Sequence, residues 1–166
     1  MEYLTGDCEF DWVYLVVSPQ NPLKDASKAL TGEQRYQAAV EAVCRHPELH
    51  VWVDDIELTM PSPQYTCRTL DALKAREPEN EFTLIIGADN LAGFRKWDHY
   101  PRILLEYGLA VYPRRGYDID ALRRSFLEEN PDYRISVLDH APIVDMSSTQ
   151  IREAQADGKD MSEYLM

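Results

Sequence analysis

Long hydrophobic runs are missing from this 166-residue chain. No apolar stretch approaches the ~20 residues that span a membrane as a helix. The N-terminus shows no basic-then-apolar signal pattern. Cysteine is scarce, with only Cys8, Cys44 and Cys67 and no CxxC spacing. An odd, scattered set reads as reduced thiols of a cytoplasmic protein rather than a disulfide framework or a zinc site. Seven glycines and ten prolines without a period exclude collagen-like and low-complexity classes. Positive charge is in deficit: 17 Lys and Arg stand against 29 Asp and Glu, a formal charge of −12. Such a surface repels phosphate backbones and anionic lipid, so neither nucleic acid nor membrane is an expected partner. A small phosphorylated ligand stays open, because a few local donors overcome the mean field at short range. Histidine offers no metal pair, since Pro47 interrupts the helical spacing of His46 and His50, while His99 and His140 are isolated.

What is present is ordinary globular composition, 45% hydrophobic and 28% charged, in a length suited to one domain over residues 1–166. Strand and helix signals alternate. Met1–Gly6 reads as the tail of a helix. Trp12–Val17 is a β-branched and aromatic run expected to be buried on both faces. Thr31 and Gln34 form a capping box ahead of the inward stripe Tyr36, Ala39, Val40 and Val43. His50–Val53 follows as a strand, with Asp54, Asp55 and Glu57 expected as its solvated end. Thr66–Arg76 is a helix with Leu70 and Leu73 inward, and Phe82–Ile86 is a strand closed by Gly87. Tyr100–Glu106 is a helix, Leu109–Tyr112 a strand, Ile119–Glu129 a helix and Ile135–Leu138 a strand. Ser147–Asp157 is a last helix, ended by Gly158. This alternation implies an α/β fold, a doubly wound parallel sheet. Ligands of such sheets bind beyond the carboxyl ends of the strands. The phosphate-binding runs GxGxxG and GxxxxGK[ST] are absent.

Four segments just after strands carry candidate chemistry. Ser147, Ser148 and Thr149 open a helix with Arg152 one turn in, a combination that grips phosphate; it also fits an ordinary helix cap. Gly87 permits close approach to the backbone, Asp89 can accept sugar hydroxyls, and Trp97 can stack on a flat ring; a turn, a cap and a core tryptophan are the plainer alternatives. Tyr65 or Thr66 can donate at a second helix start, or simply cap it. Lys24 can reach a phosphate, or be solvated.

Taken in order, the segment Pro19–Lys24, the Pro-Gln-Tyr-Thr66 run, Ile85-Ile86-Gly87-Ala88-Asp89 with Trp97, Val111–Tyr117 and Met146–Arg152 resemble bacterial nicotinate mononucleotide adenylyltransferases. These belong to the nucleotidyltransferase α/β phosphodiesterase superfamily. The resemblance runs from about Trp12 to the C-terminus. It implies a Rossmann-like nucleotidyltransferase fold and transfer of AMP from ATP, with Mg²⁺, to nicotinate mononucleotide, giving deamido-NAD and pyrophosphate in NAD biosynthesis. Ser147, Ser148, Thr149 and Arg152 would hold the ATP phosphates. Trp97 would stack on the nicotinate ring and Thr66 would meet its carboxylate. Gly87 and Asp89 would line the sugar side, and Lys24 would reach a phosphate. Arg115 stands where the family pattern has proline. The family's first strand and its GxFxPxHxGH motif, whose histidines stabilise the transferring phosphate, are not in the sequence, so Met1 aligns inside the helix after that motif. A single nucleotidyltransferase-like domain truncated at its N-terminus is therefore expected, with no catalytic or metal-ligating residue assigned. Other readings are an adenylyltransferase for nicotinamide mononucleotide or phosphopantetheine, and a catalytically dead nucleotide-binding fragment. A homo-oligomer is compatible with all of them.

Overall fold

The computed structural model describes residues 2–6, 10–19 and 31–141. They fall into two compact units, one ending at Gln64 and the other beginning at Tyr65.

The first unit opens with a short helix, α1 (Glu2–Gly6), followed by strand β1 (Val13–Val16). Helix α2 (Gly32–Cys44) starts as the sequence dictates: the Gln34 N–H donates to Thr31 Oγ1 at 3.2 Å, and the Thr31 N–H donates to Gln34 Oε1 at 2.9 Å. This reciprocal pair satisfies two donors that a helix start leaves open. Its apolar stripe, Tyr36 to Val43, is half-buried. Strand β2 (Val51–Asp54) then pairs with β1 in parallel, Val13 opposite Val51 and Val16 opposite Asp54. Parallel strands need a crossover of this kind, because the chain must return to the starting end of the sheet before the second strand begins.

Two expectations are corrected in this unit. Trp12 is 55% exposed and stacks on His50, rings 5.1 Å apart, so the run it opens is not buried on both faces. Alternation decides this: Val13 and Val17 turn inward while Trp12 and Tyr14 share the other face. Asp54 and Glu57 are buried rather than solvated, at 2% and 9% exposure. Asp54 Oδ1 accepts the Ile56 N–H at 3.0 Å, starting helix α3 (Ile56–Thr59), and Glu57 Oε2 accepts the Ser18 hydroxyl at 2.6 Å. Buried carboxylates persist where donors meet them.

The second unit begins with helix α4 (Thr66–Arg76) and strand β3 (Leu84–Gly87). Strand β3 runs directly into α5 (Ala88–Gly93) and a 3-10 turn (Phe94–Lys96). Helix α6 (Tyr100–Glu106), strand β4 (Leu109–Tyr112), helix α7 (Ile119–Glu129) and strand β5 (Ile135–Val137) complete it. The three strands form one parallel sheet in the order β3-β4-β5, with Leu84 opposite Leu109 and Leu109 opposite Ile135. Leu91, Phe94, Ile103, Leu104, Leu109, Val111 and Phe126 make its core, each at or below 1% exposure. Burying a side chain of this size stabilises by about 1.5–3 kcal/mol. Gly108, at φ 78°, makes the turn from α6 into β4, and its N–H donates to Ile103 O at 2.8 Å. The left-handed region favours glycine because a Cβ there meets the carbonyl. No helix among the described residues is long and apolar enough to cross a membrane.

Candidate active site

Strands β3 and β4 end level, because Gly87 lies opposite Tyr112. The backbone of Gly87 is extended, φ −81° and ψ 159°, and it forms the N-cap of α5 without a side-chain bond. Crowding rather than dihedral is what favours a glycine here. A Cβ there would collide with Asp89 Oδ1 and lie 3.2 Å from Arg114 Nε. The Asp89 carboxylate is thus folded back over the strand end. Arg114, two residues past β4, faces it with Nε 3.7 Å from Oδ1. Both side chains are nearly half exposed, so the pair is screened and adds little to stability. It does fix one negative and one positive group at the carboxyl end of a parallel sheet, the usual ligand edge of such sheets.

Trp97 follows the 3-10 turn. Its N–H donates to Phe94 O at 2.9 Å, and its ring lies 4.9 Å from the Phe94 ring at 42°. Phe94 is wholly buried and Trp97 packs against the core while remaining half-buried itself. Tryptophan anchored this way offers a pre-set aromatic surface at small entropic cost. Thr66 is the first residue of α4, and the cap residue Tyr65 makes no side-chain cap bond. The plainer expectation, a hydroxyl-capped helix start, is therefore not what is observed. A helix start without such a cap keeps N–H donors and partial positive charge for another acceptor.

One contact joins these two segments. The Cys67 thiol donates to Asp98 Oδ2 at 3.5 Å, tying the residue after Thr66 to the residue after Trp97. Behind them, Arg102 grips Asp71 of α4 with two bonds of 2.9 and 2.7 Å, and the Tyr107 hydroxyl adds a third at 2.7 Å. Burial works against the Asp71 charge, but the bonds from Arg102 and Tyr107 outweigh it and hold the carboxyl below its ordinary range. The same network, with burial first, pushes Tyr107 up to about 12.

Of the residues singled out from sequence, Gly87 and Asp89 meet at the β3 edge, while Thr66 and Trp97 are joined through their neighbours. Lys24, Ser147, Ser148, Thr149 and Arg152 lie outside the described residues. Arg114, Cys67 and Asp98 received no role from sequence. Arg114 had a signal, its place two residues beyond a buried strand. The Cys67–Asp98 contact spans 31 positions and has no local signature. Among the described residues no group of three His, Cys, Asp or Glu could hold a metal ion.

Comparison with known proteins gives a consistent answer. The cytidylyltransferase-like family model matches residues 5–154. A protein of Bacteroides fragilis described as a probable nicotinate-nucleotide adenylyltransferase is 41% identical over 161 residues, covering 95% of this chain and 75% of the relative. A Flavobacterium johnsoniae protein with the same description is 38% identical over 157 residues, with 95% and 77% covered. Among solved structures, the Plasmodium falciparum nicotinic acid mononucleotide adenylyltransferase complexed with NaAD aligns with a TM-score of 0.66 at 18% identity, covering 92% of this chain and 73% of that one. That likeness establishes a shared Rossmann-like nucleotidyltransferase fold. With the parallel α/β architecture and the level strand ends above, the chain belongs to the cytidylyltransferase-like family, in its nicotinate-nucleotide adenylyltransferase branch.

Proposed function

We propose that this protein transfers AMP from ATP to nicotinate mononucleotide. The observation that carries the reading is 41% identity sustained over 95% of the chain. A phosphate oxygen of the mononucleotide attacks the α-phosphorus of ATP, the bond to the bridging oxygen of pyrophosphate breaks, and deamido-NAD and pyrophosphate form. Two anions must be held in line, so catalysis rests on positioning and on charge stabilisation.

In this reading Trp97 stacks on the nicotinate ring and Thr66, at the start of α4, donates toward its carboxylate. Gly87 and Asp89 line the sugar side: the glycine leaves room for the Asp89 carboxylate to fold back over the strand end, that carboxylate accepts from the sugar hydroxyls, and Arg114 keeps its charge from repelling the approaching phosphate. Lys24 contacts a phosphate. Ser147, Ser148, Thr149 and Arg152 hold the phosphates of ATP. Mg²⁺ accompanying ATP would offset part of the charge on the phosphates during transfer. The protein works in the cytoplasm, where these substrates occur.

The test measures binding and turnover separately, since the sequence holds no GxFxPxHxGH run. Calorimetry with nicotinate mononucleotide, nicotinamide mononucleotide and phosphopantetheine should give tightest binding to the first. Pyrophosphate release with MgATP reads the transfer. Selective binding without release would identify a nucleotide-binding module, and preference for another acceptor would overturn the substrate assignment. Within the active enzyme, Arg152→Ala should weaken ATP use by ~2–4 kcal/mol through loss of a charge-assisted contact.

A further inference from the structure

We propose that the Cys67 thiol and the Asp98 carboxylate act together as a positioning pair that sets Thr66 against Trp97, and so governs affinity for the mononucleotide ring. The inference rests on the ring assignment made above. Cys67 is 2% exposed, and its Sγ lies 3.5 Å from Asp98 Oδ2. Burial, and then the bond to Asp98 itself, raises the thiol above its ordinary value, so Cys67 stays protonated and remains a donor. Each partner is the immediate neighbour of a proposed ring contact, Thr66 on one side and Trp97 on the other.

The backbone between Trp97 and α6 needs such a tether. Trp97 is extended at φ −77° and ψ 143°, and His99 then enters the left-handed region at φ 53° and ψ 34°. A non-glycine residue there is strained, and persists where surrounding contacts over-determine it. Asp98 sits between these two residues. The oxygen that accepts from Cys67 also faces His99 Nε2 at 3.8 Å. Without the thiol, the Trp97–His99 turn loses its bond to the first turn of α4, while Trp97 keeps its packing on Phe94. The expected result is a looser ring site in a folded protein.

Calorimetry on the full chain with nicotinate mononucleotide tests this. Alanine and serine both remove the sulfur's volume, and only serine keeps a donor for Asp98. Cys67→Ala should weaken binding by about 3- to 10-fold, the worth of one such bond, and Cys67→Ser should bind within about twofold of the parent. Asp98→Ala should match Cys67→Ala, and the double variant should be no worse than either. Thermal melting checks that each variant is folded; should Cys67→Ala fail to fold, Asp98→Ala, altered at a partly exposed side chain, carries the test. Equal behaviour of the alanine and serine variants, or losses that add in the double variant, would overturn the pairing. A parent chain that does not bind the mononucleotide at all, with Trp97→Ala no different, would overturn the ring assignment and the inference with it.

Discussion

Gly87 is the residue whose smallness has the clearest local cause. A methyl group there would displace the end of the Asp89 side chain and crowd Arg114, both of which can swing into solvent. The backbone dihedral itself suits any residue. Gly87→Ala should therefore leave the melting temperature nearly unchanged and yet weaken mononucleotide binding about tenfold, by misplacing the Asp89 carboxylate. Calorimetry and a melt on the same sample separate the two effects. Gly108 is the opposite case. Its positive φ and a Cβ contact of 3.0 Å to Arg134 make Gly108→Ala costly to the fold, by about 1–3 kcal/mol, read by urea titration. Trp97→Ala should cost the mononucleotide about tenfold or more in affinity, as loss of ring stacking does, while ATP affinity holds.

Between elements, Arg102 ties α6 to α4 through Asp71, and Tyr107 closes the same network. The folded Asp71 titrates below the ordinary value of 3.8. Its contribution is therefore present above that value and lost as pH falls through the lower, folded value. Arg102→Gln should raise the pH at which acid unfolding begins. At neutral pH it should cost about 1 kcal/mol, a solvent-screened, bidentate pair being at the upper end of the surface range. Tyr107 works in the other direction. Its folded value, raised from 10.0 to about 12, adds stability that is complete below pH 10 and disappears as pH climbs to about 12. Tyr107→Phe should lack that alkaline loss, which circular dichroism across the range would show.

Legibility followed element length. The bounds of α4, α6, β4 and α7 agree with the sequence signals, because each combines a periodic apolar face with a clear boundary residue. Helices α3 and α5, of four and six residues, are too short for a 3.6-residue period to show. Asp54 and Glu57 misled for a related reason: a run of acids resembles a surface until Ser18, 39 positions away from Glu57, is brought to it. At the candidate site, the places of Gly87 and Asp89 after a strand and of Thr66 at a helix start could be read from the sequence. Arg114's link to Asp89 and Cys67's link to Asp98 arise only once the sheet and helices are packed.

On the scale of the chain, the two units differ in how their sheets are protected. Strand β4 is hydrogen-bonded on both sides within a three-stranded sheet and is buried along three of its four residues. The β1–β2 pair has two strands among the described residues, and α2 beside it has no fully buried residue. Small sheets with shallow burial open at lower free energy. Hydrogen exchange should therefore release the amides of β1 and β2 well before those of β4, and equal protection would contradict this ranking.

The thiols offer a way to time the opening of the second unit. Cys44 sits exposed on the first unit, whereas Cys67 is sealed in the second and kept in its unreactive form. In a pulse of maleimide, Cys44 would be alkylated at once, and Cys67 only when the second unit opens. Mass spectrometry of the Cys67 peptide would thus serve as a stopwatch on the half of the molecule that carries the tryptophan shelf.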